Sequence, residues 1–129
     1  MKIGQCLATF FLIFAFFGCS VDSERSQLEE AQELADMFAE IERIALGVSC
    51  DEASDWAFTA YGNKACGGPA GYIAYATTID VPAFLRLVSD YTQAEQNFNT
   101  AWNIISDCAL QLPPSAITCE NSVPVFVYE

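Results

Sequence analysis

SQLEEAQELADMFAEIERIALGV, running from Ser26 to Val48, decides the fold. Leu28, Ala31, Leu34, Ala35, Phe38, Ile41, Ile44, Ala45 and Val48 recur at intervals of three and four, which places one apolar stripe along a helix. Ser26 and Glu29 have the form of a capping box, with the hydroxyl taking an orphan amide and the carboxylate reaching back. Gly47 is a stop signal. A long amphipathic helix on its own is marginal in water, so this stripe demands a partner.

The partner lies downstream. Asp80 before Val81-Pro82 predicts an N-cap with proline in the first turn. Phe84, Leu87, Val88, Tyr91, Ala94, Phe98, Ala101, Trp102 and Ile105 then follow at helical spacing through about Ser106. Between the helices, Trp56-Ala57-Phe58-Thr59-Ala60-Tyr61 alternates as a strand and Gly62-Asn63 ends it. Lys64-Ala65-Cys66-Gly67-Gly68-Pro69-Ala70-Gly71 is a loop, and Tyr72 to Ala76 reads equally as strand or helical turn. After Leu112-Pro113-Pro114-Ser115, the runs Ala116–Cys119 and Val123–Tyr128 predict a hairpin across Glu120-Asn121-Ser122. The expectation is an α+β domain in which two long amphipathic helices pack with a small antiparallel sheet or hairpin, cross-linked by two disulfides. The all-helical alternative keeps both helices and treats the rest as disulfide-tied loop.

Upstream of Ser26 the chain has a different character. Lys2 precedes an eleven-residue apolar run, Leu7 to Phe17, which ends at Gly18-Cys19-Ser20. That is a secretory leader, too short for a spanning helix. Phe16-Phe17-Gly18-Cys19 resembles the lipobox of bacterial lipoproteins, with phenylalanines where that family favours aliphatic and small residues. The resemblance implies cleavage before Cys19, diacylation of Cys19 and residence in the bacterial cell envelope; diacylation is enough for stable anchoring. With Ser20 next to the cysteine, the sorting rule of enteric lipoproteins implies the outer membrane. The chain then divides into a signal peptide (1–18), a lipidated tether (19–25) and one disulfide-bonded domain (26–129).

Cys50, Cys66, Cys108 and Cys119 remain, an even number in an oxidising compartment, so two disulfides are expected. Three pairings exist, and the sequence does not choose among them; Cys50 with Cys66 and Cys108 with Cys119 would close two short loops of similar length. Without any Cys-x-x-Cys pair, neither a zinc knuckle nor a redox dithiol is indicated.

Function is narrowed mostly by exclusion. The chain has 17 acidic and 5 basic side chains, a net charge of −12 and no histidine. Imidazole-based nucleophile systems and histidine metal sites are therefore absent, and the acidity argues against nucleic acid as a partner. No cofactor motif is present. Asp51, Glu52 and Asp55, or Glu29, Glu33 and Asp36, offer the carboxylate pairs a glycan hydrolase needs. The Asp51–Asp55 loop lacks the alternating ligands of a calcium loop and reads as an acidic turn. Lys64, Gly67, Gly68 and Tyr72 mark a glycine-rich loop able to offer amides and one cation to an anion, or simply to make a tight turn. Gln93, Gln96, Asn97, Asn99 and Asn103 give the second helix a neutral amide face suited to sugars or a partner protein. The expected function is a non-enzymatic, membrane-tethered binding module, reaching the membrane through lipid on Cys19 and taking a basic protein or a glycan. The alternative is a carboxylate-dependent envelope hydrolase. Intact mass tests the processing: the mature chain is expected to lack residues 1–18, to carry acyl groups on Cys19 and to weigh about 4 Da less than its reduced form.

Overall fold

Ser26 starts the first helix as its sequence predicts: its hydroxyl accepts from the Glu29 amide at 3.2 Å, and its own amide donates to Glu29 Oε2 at 2.8 Å. The computed structural model describes residues 26–129. The leader, Cys19 and the tether lie outside the described residues. Helix α1 spans Gln27–Ala45, and a single 3₁₀ turn at Ala53–Asp55 leads into strand β1, Trp56–Tyr61. Strand β2 is Gly71–Ala76, helix α2 is Val81–Ala101, and strands β3 and β4 are Ala116–Glu120 and Val123–Val127. Among the described residues, no helix is long and apolar enough to cross a membrane.

Asp80 caps α2 by accepting from the Ala83 amide at 3.1 Å, with Pro82 in the first turn. The helix stops at Ala101, short of the Ser106 expected from the apolar period. Asn103 takes a left-handed φ of 50°, and the Ile104 amide reaches back to the Asn99 carbonyl at 3.0 Å, which closes the helix end. Ile105 keeps the apolar period, yet it is 92% exposed.

The strands form two separate antiparallel hairpins rather than one sheet. Trp56 pairs with Ala76 and Tyr61 with Gly71 in the first, so Tyr72–Ala76 is strand. Ala116 pairs with Val127 and Glu120 with Val123 in the second. Asn121 and Ser122, with φ of 51° and 64°, make the two-residue turn whose twist suits a hairpin.

Alternation along β2 organises the packing, because successive side chains take opposite faces. Tyr75 joins Ile41, Ala45, Phe84, Val88 and Tyr91 in the cluster between the helices. Ala74 and Ala76 join Cys50 and Trp56, and Ile117, Cys119 and Phe126 of the second hairpin pack against them. The order of layers is therefore helix pair, first hairpin, second hairpin. The helices run antiparallel, with Phe38 against Tyr91 at 5.3 Å between ring centroids and Trp102 Nε1 donating to Glu30 Oε2 at 2.7 Å.

Both disulfides form, and neither is local. Cys50 bonds Cys119 and Cys66 bonds Cys108, one bridge nested inside the other. The short-loop pairing fails because β1, about 20 Å long at strand rise, carries Cys66 away from Cys50. Cys50 instead sits at the turn of the second hairpin, its amide donating to the Ser122 carbonyl at 2.9 Å.

Phe84 is 2% exposed and stacks at 5.1 Å on Tyr75, joining helix to strand. Phe84→Ala is expected to lower the unfolding free energy by about 3–5 kcal/mol, read by urea titration of the oxidised chain.

Candidate functional site

The polar edge of α2 meets the loop that joins the strands of the first hairpin. Gly62 enters that loop at φ 72°, where a Cβ would lie 2.5 Å from Glu95 Oε2 and 2.6 Å from the Ala70 methyl. Only glycine fits there. The Gly62 amide donates to Thr92 Oγ1 at 2.9 Å, and the Asn63 amide donates to Glu95 Oε2 at 2.5 Å. Asn99 Nδ2 then donates to the Asn63 carbonyl at 2.6 Å. Thr92, Glu95 and Asn99 lie at helical spacing on one edge and satisfy three consecutive polar groups of the loop. Sequence reasoning singled out Asn99 and missed Thr92 and Glu95; the three- and four-residue spacing was the signal that pointed to them.

The loop is closed on its other side by the segment after α2. Lys64 Nζ donates to Asp107 Oδ1 at 2.6 Å and to the Ala109 carbonyl at 2.8 Å. The Cys66 amide donates to Ser106 Oγ at 3.1 Å, beside the Cys66–Cys108 bridge. The Lys64 side-chain hydrogen bond and charge hold the Asp107 carboxyl below the usual carboxylate range. Within the loop, the Lys64 amide donates to the Gly68 carbonyl at 2.9 Å and the Gly67 amide to the Lys64 carbonyl at 2.8 Å. Gly67 and Gly68 take φ of 93° and 83°. The cation and two of the amides considered for an anion are thus engaged in building a turn.

Tyr72 is not part of this loop's surroundings. It pairs with Ala60, sets its ring edge-on to Phe58 at 6.1 Å and faces a groove shared with Leu46, Pro124 and Phe126. The four residues singled out as one binding loop therefore separate into a structural turn and a strand residue facing elsewhere.

Loop and helix do enclose a cleft of about 450 Å³. Asn63 and Ala65 line it from the loop, Gln96, Asn99 and Thr100 from α2, and Asn103 and Ile104 from the helix end. The loop and the amide face, read separately along the chain, meet here. Gln93 and Asn97 lie elsewhere on α2 and bond each other at 3.1 Å.

The carboxylates are distributed differently. Asp51, Glu52 and Asp55 are exposed and line a smaller cleft with Trp56 and Thr78. On α1, Glu29 belongs to the cap, Asp36 accepts from Gln32 and Glu40 is paired with Arg43 at 2.6 Å. Removing Lys2, Asp22, Glu24 and Arg25 from the totals leaves fifteen acidic and three basic side chains in residues 26–129. Arg43 and Lys64 are in ion pairs within the chain, and Arg86 is the third cation. Among the described residues, no three metal-binding side chains converge.

Comparison with protein-family models, curated proteins and solved structures found no match to this chain.

Glu95 on the Thr92–Asn99 edge also acts on two phenols, holding the Tyr91 hydroxyl and placing its charge near Tyr61. Burial pushes the Tyr91 phenol far above the ordinary tyrosine range, reinforced by the charge of Glu95 and by the hydrogen bond to Glu95 Oε1 at 3.2 Å. Tyr61 is raised by burial and by the charges of Glu42 and Glu95. Because the folded state holds both phenols protonated beyond their unfolded pKa of about 10, their contribution is complete below that pH and is lost as pH rises through the folded values. Stability is expected to fall above about pH 10, with Tyr91 ionising as the fold opens and Tyr61 later than the ordinary tyrosines. Ultraviolet phenolate titration alongside circular dichroism reads this, and Tyr91→Phe should flatten the alkaline slope.

Proposed function

We propose that this chain is a lipid-tethered, non-catalytic binding module of the bacterial envelope whose acidic surface docks a basic protein. The supporting observation is the imbalance of charge: in residues 26–129 fifteen acidic groups, thirteen of them exposed, stand against three cations, two of which are paired within the chain. What faces solvent is then a nearly unrelieved negative surface along α1 and the 51–55 loop. Such a field steers a positively charged partner and raises the association rate far more than it deepens the bound state. Lipid on Cys19 would hold that surface at the membrane, where secreted basic proteins arrive by diffusion.

Lysozyme serves as the test probe, titrated against the full chain with its disulfides formed. Affinity is expected to fall at least tenfold between about 50 and 200 mM salt, as screening shortens the Debye length. The triple substitution Glu33→Gln, Asp36→Asn, Glu40→Gln is expected to slow association while leaving dissociation nearly unchanged. Salt-independent binding, or none at low salt, would contradict the reading.

A further inference from the structure

We infer that the cleft between α2 and the loop from Asn63 to Cys66 is a binding site for a neutral saccharide, separate from the acidic surface. Asn63, Gln96, Asn99 and Asn103 bring four carboxamides to its lining, Thr100 adds a hydroxyl that donates to the Gln96 carbonyl and is left to accept, and Ile104 adds an apolar patch. No charged residue lines it. In a domain with fifteen acidic groups, an uncharged concavity selects against cations, which gain more at the carboxylates, and offers an anion no compensating charge. Carboxamides donate and accept at once, as sugar hydroxyls do, so Gln96 and Asn103, which are exposed, can each make a paired hydrogen bond to a neutral polyol, while Asn99 Nδ2 already donates to the Asn63 carbonyl. Ile104 supplies surface for the C–H face of a ring.

The two walls are set before any ligand arrives. Asn99 holds the Asn63 carbonyl, Glu95 holds the Asn63 amide, and Lys64 ties the loop to Asp107 and Ala109. The Cys66–Cys108 bridge joins the loop covalently to the segment that follows Asn103 and Ile104. Pre-ordering of this kind removes part of the entropic cost of binding. Meanwhile Gln96 and Asn103 are exposed, and no other described residue takes their side-chain amides. The inner polar row of α2 fixes the wall and the outer row faces the cleft. A volume of about 450 Å³ suits a short oligosaccharide rather than an ion.

The test is a nitrogen–proton correlation titration of the full, oxidised chain in detergent micelles with chitotriose and, separately, maltotriose. Saturable shifts confined to the amides of Asn63, Ala65, Gln96, Asn99, Thr100, Asn103 and Ile104, with either sugar, are expected. Gln96→Ala and Asn103→Gly are each expected to weaken that binding about fivefold or more. Glycine suits the left-handed backbone at position 103, and neither change touches a bond that holds the loop, so thermal unfolding should stay put. Gln32→Ala on α1 is the control and should bind as the parent does. The inference is overturned by an absence of shifts with both sugars, by shifts scattered outside the cleft, by an equal response to glycerol, or by variants that bind as well as the parent. Because neither probe is charged, failure here leaves the salt-dependent lysozyme result standing, and the reverse is also true.

Discussion

The two nested disulfides are the constraint on which the layers depend. Residues 26–129 bury few large side chains completely; only Phe84 and Ile41 fall below 2% exposure or close to it. A core that thin leaves little to hold a second hairpin which touches the helices hardly at all. Cys50–Cys119 supplies the attachment by fixing β3 to the chain just after α1, across 69 positions of sequence. Cys66–Cys108 fixes the end of α2 to the first hairpin across 42. In the chain-entropy account each closure is worth about 4 kcal/mol, against about 3 for the shorter loops of the local pairing. Because the bridges are nested, the second closes a loop already shortened by the first, so their contributions add to somewhat less than the sum.

That covalent frame leaves the local polar bonds a narrower task. Once Cys66 and Cys108 are joined, the loop from Gly62 to Ala70 already lies beside α2, and Thr92, Glu95 and Asn99 need only set its final position. Glu95 is central because its two oxygens serve two elements: Oε2 takes the Asn63 amide and Oε1 the Tyr91 hydroxyl. The same carboxylate therefore ties the loop to the aromatic cluster of Phe38, Tyr61 and Tyr91. It also makes ionisation of Tyr91 unfavourable, which couples loop position to alkaline stability.

Local signals were legible in the sequence wherever the chemistry is local. The Ser26–Glu29 box, the Asp80 cap and the β1 alternation each depend on residues a few positions apart, and each stands as read. The hairpin expected across Glu120-Asn121-Ser122 was legible for the same reason, with the turn itself tightened to Asn121-Ser122 because Glu120 pairs with Val123 as the last residue of β3. What was not legible depends on distant neighbours. The end of α2 was placed five residues late because Ile105 keeps the apolar period, and periodicity cannot tell a buried isoleucine from one that is 92% exposed. Disulfide pairing needed the direction of β1, which no spacing between cysteines encodes. Lys64 looked available because Asp107 lies 43 positions away. The amide face of α2 was visible as a composition, but its division into a row holding the loop and a row facing the cleft required the loop to be in place.

Charge and polarity then divide the surface between two tasks. A uniformly acidic domain would present one kind of binding surface, governed by salt. Here the strand loop and the end of α2 keep their charges engaged: Lys64 is paired with Asp107, and Glu95 turns inward to accept from the Asn63 amide and the Tyr91 hydroxyl. With the Lys64–Asp107 charges paired and the Glu95 carboxylate turned inward, carboxamides line the cleft of that corner, although the rest of the domain is strongly negative. A cleft lined by uncharged residues, in a domain whose exposed charge is mostly acidic, follows from the arrangement of a few side chains. The electrostatic attraction that brings a basic partner to α1 therefore contributes little at the cleft, where shape and hydrogen-bond geometry determine what is retained.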